Sequence, residues 1–213
     1  MLKLIVVFVH LLAVCTALGA IIATDLRLLA RLRERRLRLA PPNAYVMRLV
    51  GVSLAVLWAS GALLLWLGHQ EDPAYLSGNP KLIGKLMLVA VLTLNAAWLH
   101  LHTFRWLARA RRVARWRFSE TIAVAAPVAV SNSLWLYCAF LGIARPWNGV
   151  VPLGRVLEGG AVVFLLSFAA VLAVLIAVGR DTARAERRRA GRATTQPGAV
   201  GDWLHDRALG GRT

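Results

Sequence analysis

Four groups of polar residues stand inside otherwise apolar runs: His10, Lys85, Asn95 and the triplet Ser131, Asn132 and Ser133. A polar side chain in hydrocarbon costs free energy unless it finds a partner, so each is a candidate for function. An imidazole can ligate a metal or exchange a proton. An ammonium can hold an anion. Amides and hydroxyls can line a path for a solute or tie helices to one another, and the latter is the more ordinary use.

Spacing narrows the combinations. With a rise of about 1.5 Å per residue, His10 lies roughly 9 Å inside the outer end of its run, and Lys85 lies within the first turn of its own. Asn95 sits about 20 Å from that outer end and the Ser131–Asn132–Ser133 cluster about 16 Å from the inner end of the next run, so Asn95 and Asn132 are expected to meet near mid-membrane. His69, at the outer end of the second run, matches His10 in depth, so the outer-side pairing expected is His10 with His69 or Lys85. His100 and His102 are two apart and point about 160° away from each other on a helix, which keeps them from sharing one ligand. Asn95 and His102, seven apart, fall on one helical face. Ligation of one metal by His10, His100 and His102 together is not expected.

The elements that must carry these residues are membrane spans. Roughly twenty apolar residues cross the hydrocarbon as a helix. Five windows meet that length, at about 4–24, 49–68, 82–101, 121–143 and 159–179. The expected fold is an all-α bundle of five transmembrane helices, residues 1–180. A basic tail from 181 to 213, which includes His205, is expected to be disordered in the cytoplasm. The connections LRLLARLRERRLRLAPP and RWLARARRVARWRF and the segment RDTARAERRR are densely basic, whereas HQEDPAYLSGNPK and RPWNGVVPLGR are nearly balanced. The excess of arginine on one side places the N-terminus outside and the C-terminus in the cytoplasm. The leucines that recur beside arginines in the first basic loop suit contact with anionic headgroups.

Composition agrees. Of 213 residues 58% are hydrophobic, yet the formal net charge is +16, with the two classes in separate blocks. That pattern belongs to a polytopic membrane protein and not to a nucleic-acid binder, whose basic residues would not be separated by bilayer-length apolar runs. Lys3 precedes the first run but the stronger positive charge follows it, so this run is read as a retained span and not a cleaved signal. Cys15 and Cys138 lie in apolar runs outside any CxxC or Cys/His cluster and read as small buried hydrophobes. Trp66, Trp106, Trp116 and Trp147 fall near span ends as interfacial anchors, while Trp58, Trp98 and Trp135 lie deeper and are assigned to packing. Asp25 and Glu120 are assigned to the inner span ends and Glu158 to an outer one, which leaves no carboxylate at mid-membrane. No hydrolase elbow, zinc-protease helix, Walker loop or dinucleotide turn is present.

The run GNPKLIGKLMLVAVLTLNAAWLH, with Lys85 opening a span and Asn95 ten residues later, resembles the core of the copper-resistance D family of bacterial inner-membrane proteins. The first span, VHLLAVCTALG, is similar to that family's opening helix through His10 and Gly19. The related membrane-bound protoporphyrinogen oxidase family shares the first-span histidine and the span-opening lysine and is thought to bind haem b. Its usual histidine late in the lysine-bearing span is replaced here by Asn95 or Ala96. The resemblance covers the first three spans. It implies a multi-pass protein of the bacterial inner membrane with a haem pocket near the outer side, His10 as axial ligand and Lys85 paired with a propionate. Three functional classes stand open: a redox-linked, haem-binding membrane protein; a transporter or permease for a metal or small solute, with Asn95, Asn132 and the serines as its path; and a non-catalytic scaffold or sensor working through its basic loops, as a homo-oligomer or with a membrane partner. Whether the protein is an enzyme is open.

Overall fold

The computed structural model describes residues 1–31, 41–109, 113 and 116–194. Among these the secondary structure is helical throughout: α1 (Leu2–Arg31), α2 (Ala44–Glu71), α3 (Pro80–Trp98), a π-helical turn (Leu99–Thr103), α4 (Phe104–Arg109), α5 (Phe118–Ile143), a 3₁₀ turn (Arg145–Trp147) and α6 (Leu153–Thr194). Five of the helical stretches are long and apolar enough to cross a membrane, with α3, the π turn and α4 forming one of them. This is a multi-pass membrane architecture.

Local chemistry explains where the helices begin. The Asn43 side chain accepts from the Tyr45 amide at 3.1 Å. At α3 the Asn79 side chain accepts from the Leu82 amide and Pro80 fills the first turn, where its missing N–H costs nothing. Glu120 accepts from the Arg117 amide at 2.7 Å and closes the start of α5. Inside the spans, Thr16, Thr24, Ser60 and Thr93 each donate to the carbonyl four residues earlier, which satisfies these hydroxyls within their own helices.

α1 packs along α2, α5 packs along α6, and α3 lies against both α5 and α6. Ala17, Leu92, Leu134 and Trp135 form a shared core of α1, α3 and α5, to which α2 adds Val50, Leu54 and Leu57. A second core joins Tyr137 and Leu141 of α5 to Val156 of α6. Leu4, Phe8, Leu94, Ile143 and Leu166 point outward and are largely exposed, as a surface in contact with lipid requires.

Three features depart from the sequence reading. The last helix does not end near 179: it continues to Thr194, because the alanines and arginines of RDTARAERRRAGRAT are strong helix formers and nothing in them interrupts the span's helix. The tail expected from 181 is thus helical over its first part, and residues 195–213, with His205, lie outside the described residues, as do the basic segment 32–40 and the arginines at 111, 112 and 115. Cys15 is exposed on α1, while Cys138 is buried. The deep tryptophans split: Trp135 is in the core, Trp58 is half-exposed and donates to Thr93 Oγ1 at 3.0 Å, and Trp98 is exposed and stacks on His102 at 4.2 Å between ring centroids.

Candidate functional site

α1 presents one stripe to its neighbours. Val6, Ala13 and Ala17 are buried, and His10, Ile21 and Asp25 continue the same three- and four-residue spacing as half-buried positions. His10 Nδ1 lies 2.8 Å from Ser60 Oγ on α2. The Ser60 hydroxyl itself donates to the Val56 carbonyl at 2.6 Å. Its oxygen therefore accepts from His10 Nδ1–H, which assigns the tautomer and leaves the Nε2 lone pair uncommitted. Gly61 flanks the ring: a Cβ there would sit 3.7 Å from His10 Cε1.

α3 supplies the cations. Lys81 and Lys85 are one turn apart on one face. Lys81 is only 6% exposed and donates to the Ala144 carbonyl at 2.9 Å, an oxygen that also accepts from the Trp147 amide at 3.1 Å, so it reinforces the cap at the C-terminal end of α5. Lys85 is half-buried and its charge bears on His10. Its ammonium lies against α5 at Gly142, where a Cβ would come within 3.3 Å, and near Cys138 one turn away. Among the described residues Lys85 Nζ has no hydrogen-bond or ion-pair partner, whereas the less exposed Lys81 does. Gly84, between them, lets α6 approach: its Cβ would lie 2.8 Å from Val156 Cγ1. An ion pair between Lys3 and Glu71 joins the ends of α1 and α2 at the same end of the bundle.

Of the expected pairings, Lys85 is the one whose charge acts on His10. His69 is not brought to it. It is exposed in the last turn of α2, nine residues and about 13 Å along the helix from the serine that holds His10. Asn95 and Asn132 take separate partners. Asn95 Nδ2 donates to the Pro127 carbonyl at 2.9 Å, and Asn132 Nδ2 donates to Asp25 Oδ2 at 3.0 Å. Ser131 is half-buried, and Ser133 is buried and donates to the Val130 carbonyl at 3.1 Å. His102 does not share the face of Asn95, because the π turn that begins at Leu99 rotates the helix between them. His100 packs edge-on against Phe104. Among the described residues no group of three or more His, Cys, Asp or Glu side chains is arranged to hold a metal ion.

Two residues escaped the sequence reading. Lys81 falls in sequence at the end of the connection HQEDPAYLSGNPK, yet it is less exposed than Lys85. Asp25 reads as a guard of the inner span end, yet it bonds to a residue near the middle of α5. Both were findable: Asp25 extends the inward stripe of α1 by steps of four from Ala17, and Lys81 precedes Lys85 by one turn.

Comparison with known protein families, curated proteins and solved structures finds no match.

Proposed function

We propose that this chain is a multi-pass protein of a bacterial inner (plasma) membrane, N-terminus outside and C-terminus in the cytoplasm, that binds haem b near its outer side in a redox-linked role. The observation that carries this reading is the pair His10 and Lys85. Ser60 holds the imidazole in the tautomer whose Nε2 lone pair is free, as hydrogen bonds to the other ring nitrogen do for metal-bound histidines. Beside it stands an ammonium without a counterion among the described residues. A neutral nitrogen ligand next to a free cation suits an iron macrocycle that carries carboxylates, so the residues fit the group: His10 would ligate it and Lys85 would pair a propionate. When bound, haem supplies one-electron exchange. The chain's own residues orient the imidazole through Ser60, hold a fixed positive charge at Lys85, and exclude water with the apolar faces of α1, α2, α3 and α5. The resemblance to the copper-resistance D and membrane protoporphyrinogen oxidase families, carried by His10, Gly19, Lys85 and Asn95, supports the same reading.

The test is the absorption spectrum of the full chain purified in detergent from haem-replete cells. A Soret band is expected, lost in His10→Ala and weakened in Lys85→Met. A colourless wild-type preparation, correctly folded by circular dichroism, would overturn the haem reading. A pigment retained by His10→Ala would remove the ligand assignment.

A further inference from the structure

A second polar feature lies away from His10, fifteen residues and about 22 Å further along α1. Asp25, Asn132, Ser133 and Ser167 border a cleft of about 360 Å³ between α1, α5 and α6, whose remaining walls are apolar, among them Leu18, Ile22 and Leu136. The size and the ratio of apolar wall to polar anchor are those of a small-molecule site, for which about 300–1,000 Å³ is usual. The cleft exists because α1 meets α5 over a short stretch only, while α5 and α6 pack along their length.

The hydrogen-bond inventory fixes the chemistry of an occupant. Ser133 spends its proton on the Val130 carbonyl and Ser167 spends its own on the Ala129 carbonyl at 3.3 Å. Asn132 gives one N–H to Asp25 Oδ2. Asp25 receives no other hydrogen bond and no ion pair from the described residues, so most of its carboxylate's acceptor capacity is unused. Apart from the second N–H of Asn132, the cleft therefore offers acceptors, led by the Asp25 carboxylate, in apolar surroundings where an unpaired charge is costly. A complementary ligand donates hydrogen bonds, carries positive charge and has an apolar body.

We propose that this cleft binds a membrane-dissolved primary amine, its ammonium on Asp25 and its apolar body along α1 and α6. This does not rest on the haem reading, and neither His10 nor Lys85 takes part. The test uses the full chain in phosphatidylcholine nanodiscs and a photoactivatable dodecylamine with a mid-chain diazirine, its crosslinks mapped by mass spectrometry. Crosslinks are expected to concentrate on α1, α5 and α6 around Ile22, Leu136 and Leu166. Dodecylammonium should compete for them and dodecanol should not. Asp25→Asn is expected to reduce labelling on the order of tenfold, as loss of a charge-assisted hydrogen bond implies. Should that variant fail to fold, Ser167→Leu, which fills the cleft from α6, serves in its place with the same expected loss. Crosslinks spread evenly over the lipid-facing sides of all five spans, equal competition by dodecanol, or undiminished labelling in Asp25→Asn would each overturn the proposal. His10→Ala is expected to leave the labelling unchanged, and its loss in that variant would overturn the independence of the two sites.

Discussion

At the scale of single residues, what matters is the partner each polar group takes. Lys81 shows the rule most simply. Its ammonium can be buried because the Ala144 carbonyl, at the C-terminal end of α5, accepts from it as well as from the Trp147 amide. Lys81→Met removes the charged one of the carbonyl's two donors and leaves it the Trp147 amide. It should lower stability by about 1–3 kcal/mol, read as a drop in the unfolding midpoint of the purified protein in detergent. Asn95 is a milder case. Its bond to the Pro127 carbonyl ties α3 to α5, and Asn95→Leu should cost about 0.6–2 kcal/mol in the same measurement, in line with other interhelical bonds in membranes. Ser60→Ala is expected to keep the fold and lower pigment retention relative to wild type, because the imidazole loses the acceptor that fixes its tautomer. His10, Lys85, Asn95 and Asn132 are legible in sequence as polar groups in apolar runs. Their partners are not, since depth counting places a residue along a helix but says nothing about which neighbour it faces.

At the scale of helices, small residues set the distances. Gly84 of α3 admits Val156 of α6 so closely that a methyl group would collide with Val156 Cγ1 at 2.8 Å and crowd Leu153 Cδ1 at 3.2 Å. Gly84→Ala should destabilise the fold by about 1–3 kcal/mol, and adding Val156→Ala should recover most of that loss, a coupling that a double-mutant cycle measures. Gly159 and Gly160 of α6 likewise make room for Tyr137, whose hydroxyl donates to the Val156 carbonyl at 2.8 Å. The π turn at Leu99–Thr103 acts in the opposite sense. It inserts a rotation that a uniform 3.6-residue reading of α3 cannot contain, and so His102 leaves the face that carries Asn95. The hydrophobic periodicity of α1 held more than the depth argument took from it: the stripe from Val6 through Ala17 points directly at Asp25.

For the molecule as a whole, the asymmetry of its arginines is the largest electrostatic feature. It underlies the proposed orientation, with the last helix emerging into the cytoplasm and the His10–Lys85 end facing outward. A reporter fused after Thr213 should be active only in its cytoplasmic form, and one fused before Met1 only in its external form. The reverse pattern would move the proposed haem pocket to the cytoplasmic side. The chain divides into an α1–α2 pair and an α3–α5–α6 group, joined through the core around Ala17, Leu92 and Trp135. The proposed amine cleft lies where that junction is thinnest.

Composition and spacing alone determined that there are five spans and roughly where each lies, because the length of an apolar run is a local property and the bilayer thickness sets its threshold. They also picked out His10 and Lys85 as polar groups at one depth. Only the tertiary structure decided that His10 bonds to Ser60, that His69 stays out of reach, and that Asp25 joins Asn132 from a position 107 residues away. The reason is physical: a hydrogen bond between helices depends on their rotation, tilt and crossing point. Those follow from how all the side chains pack at once, and no single segment contains them.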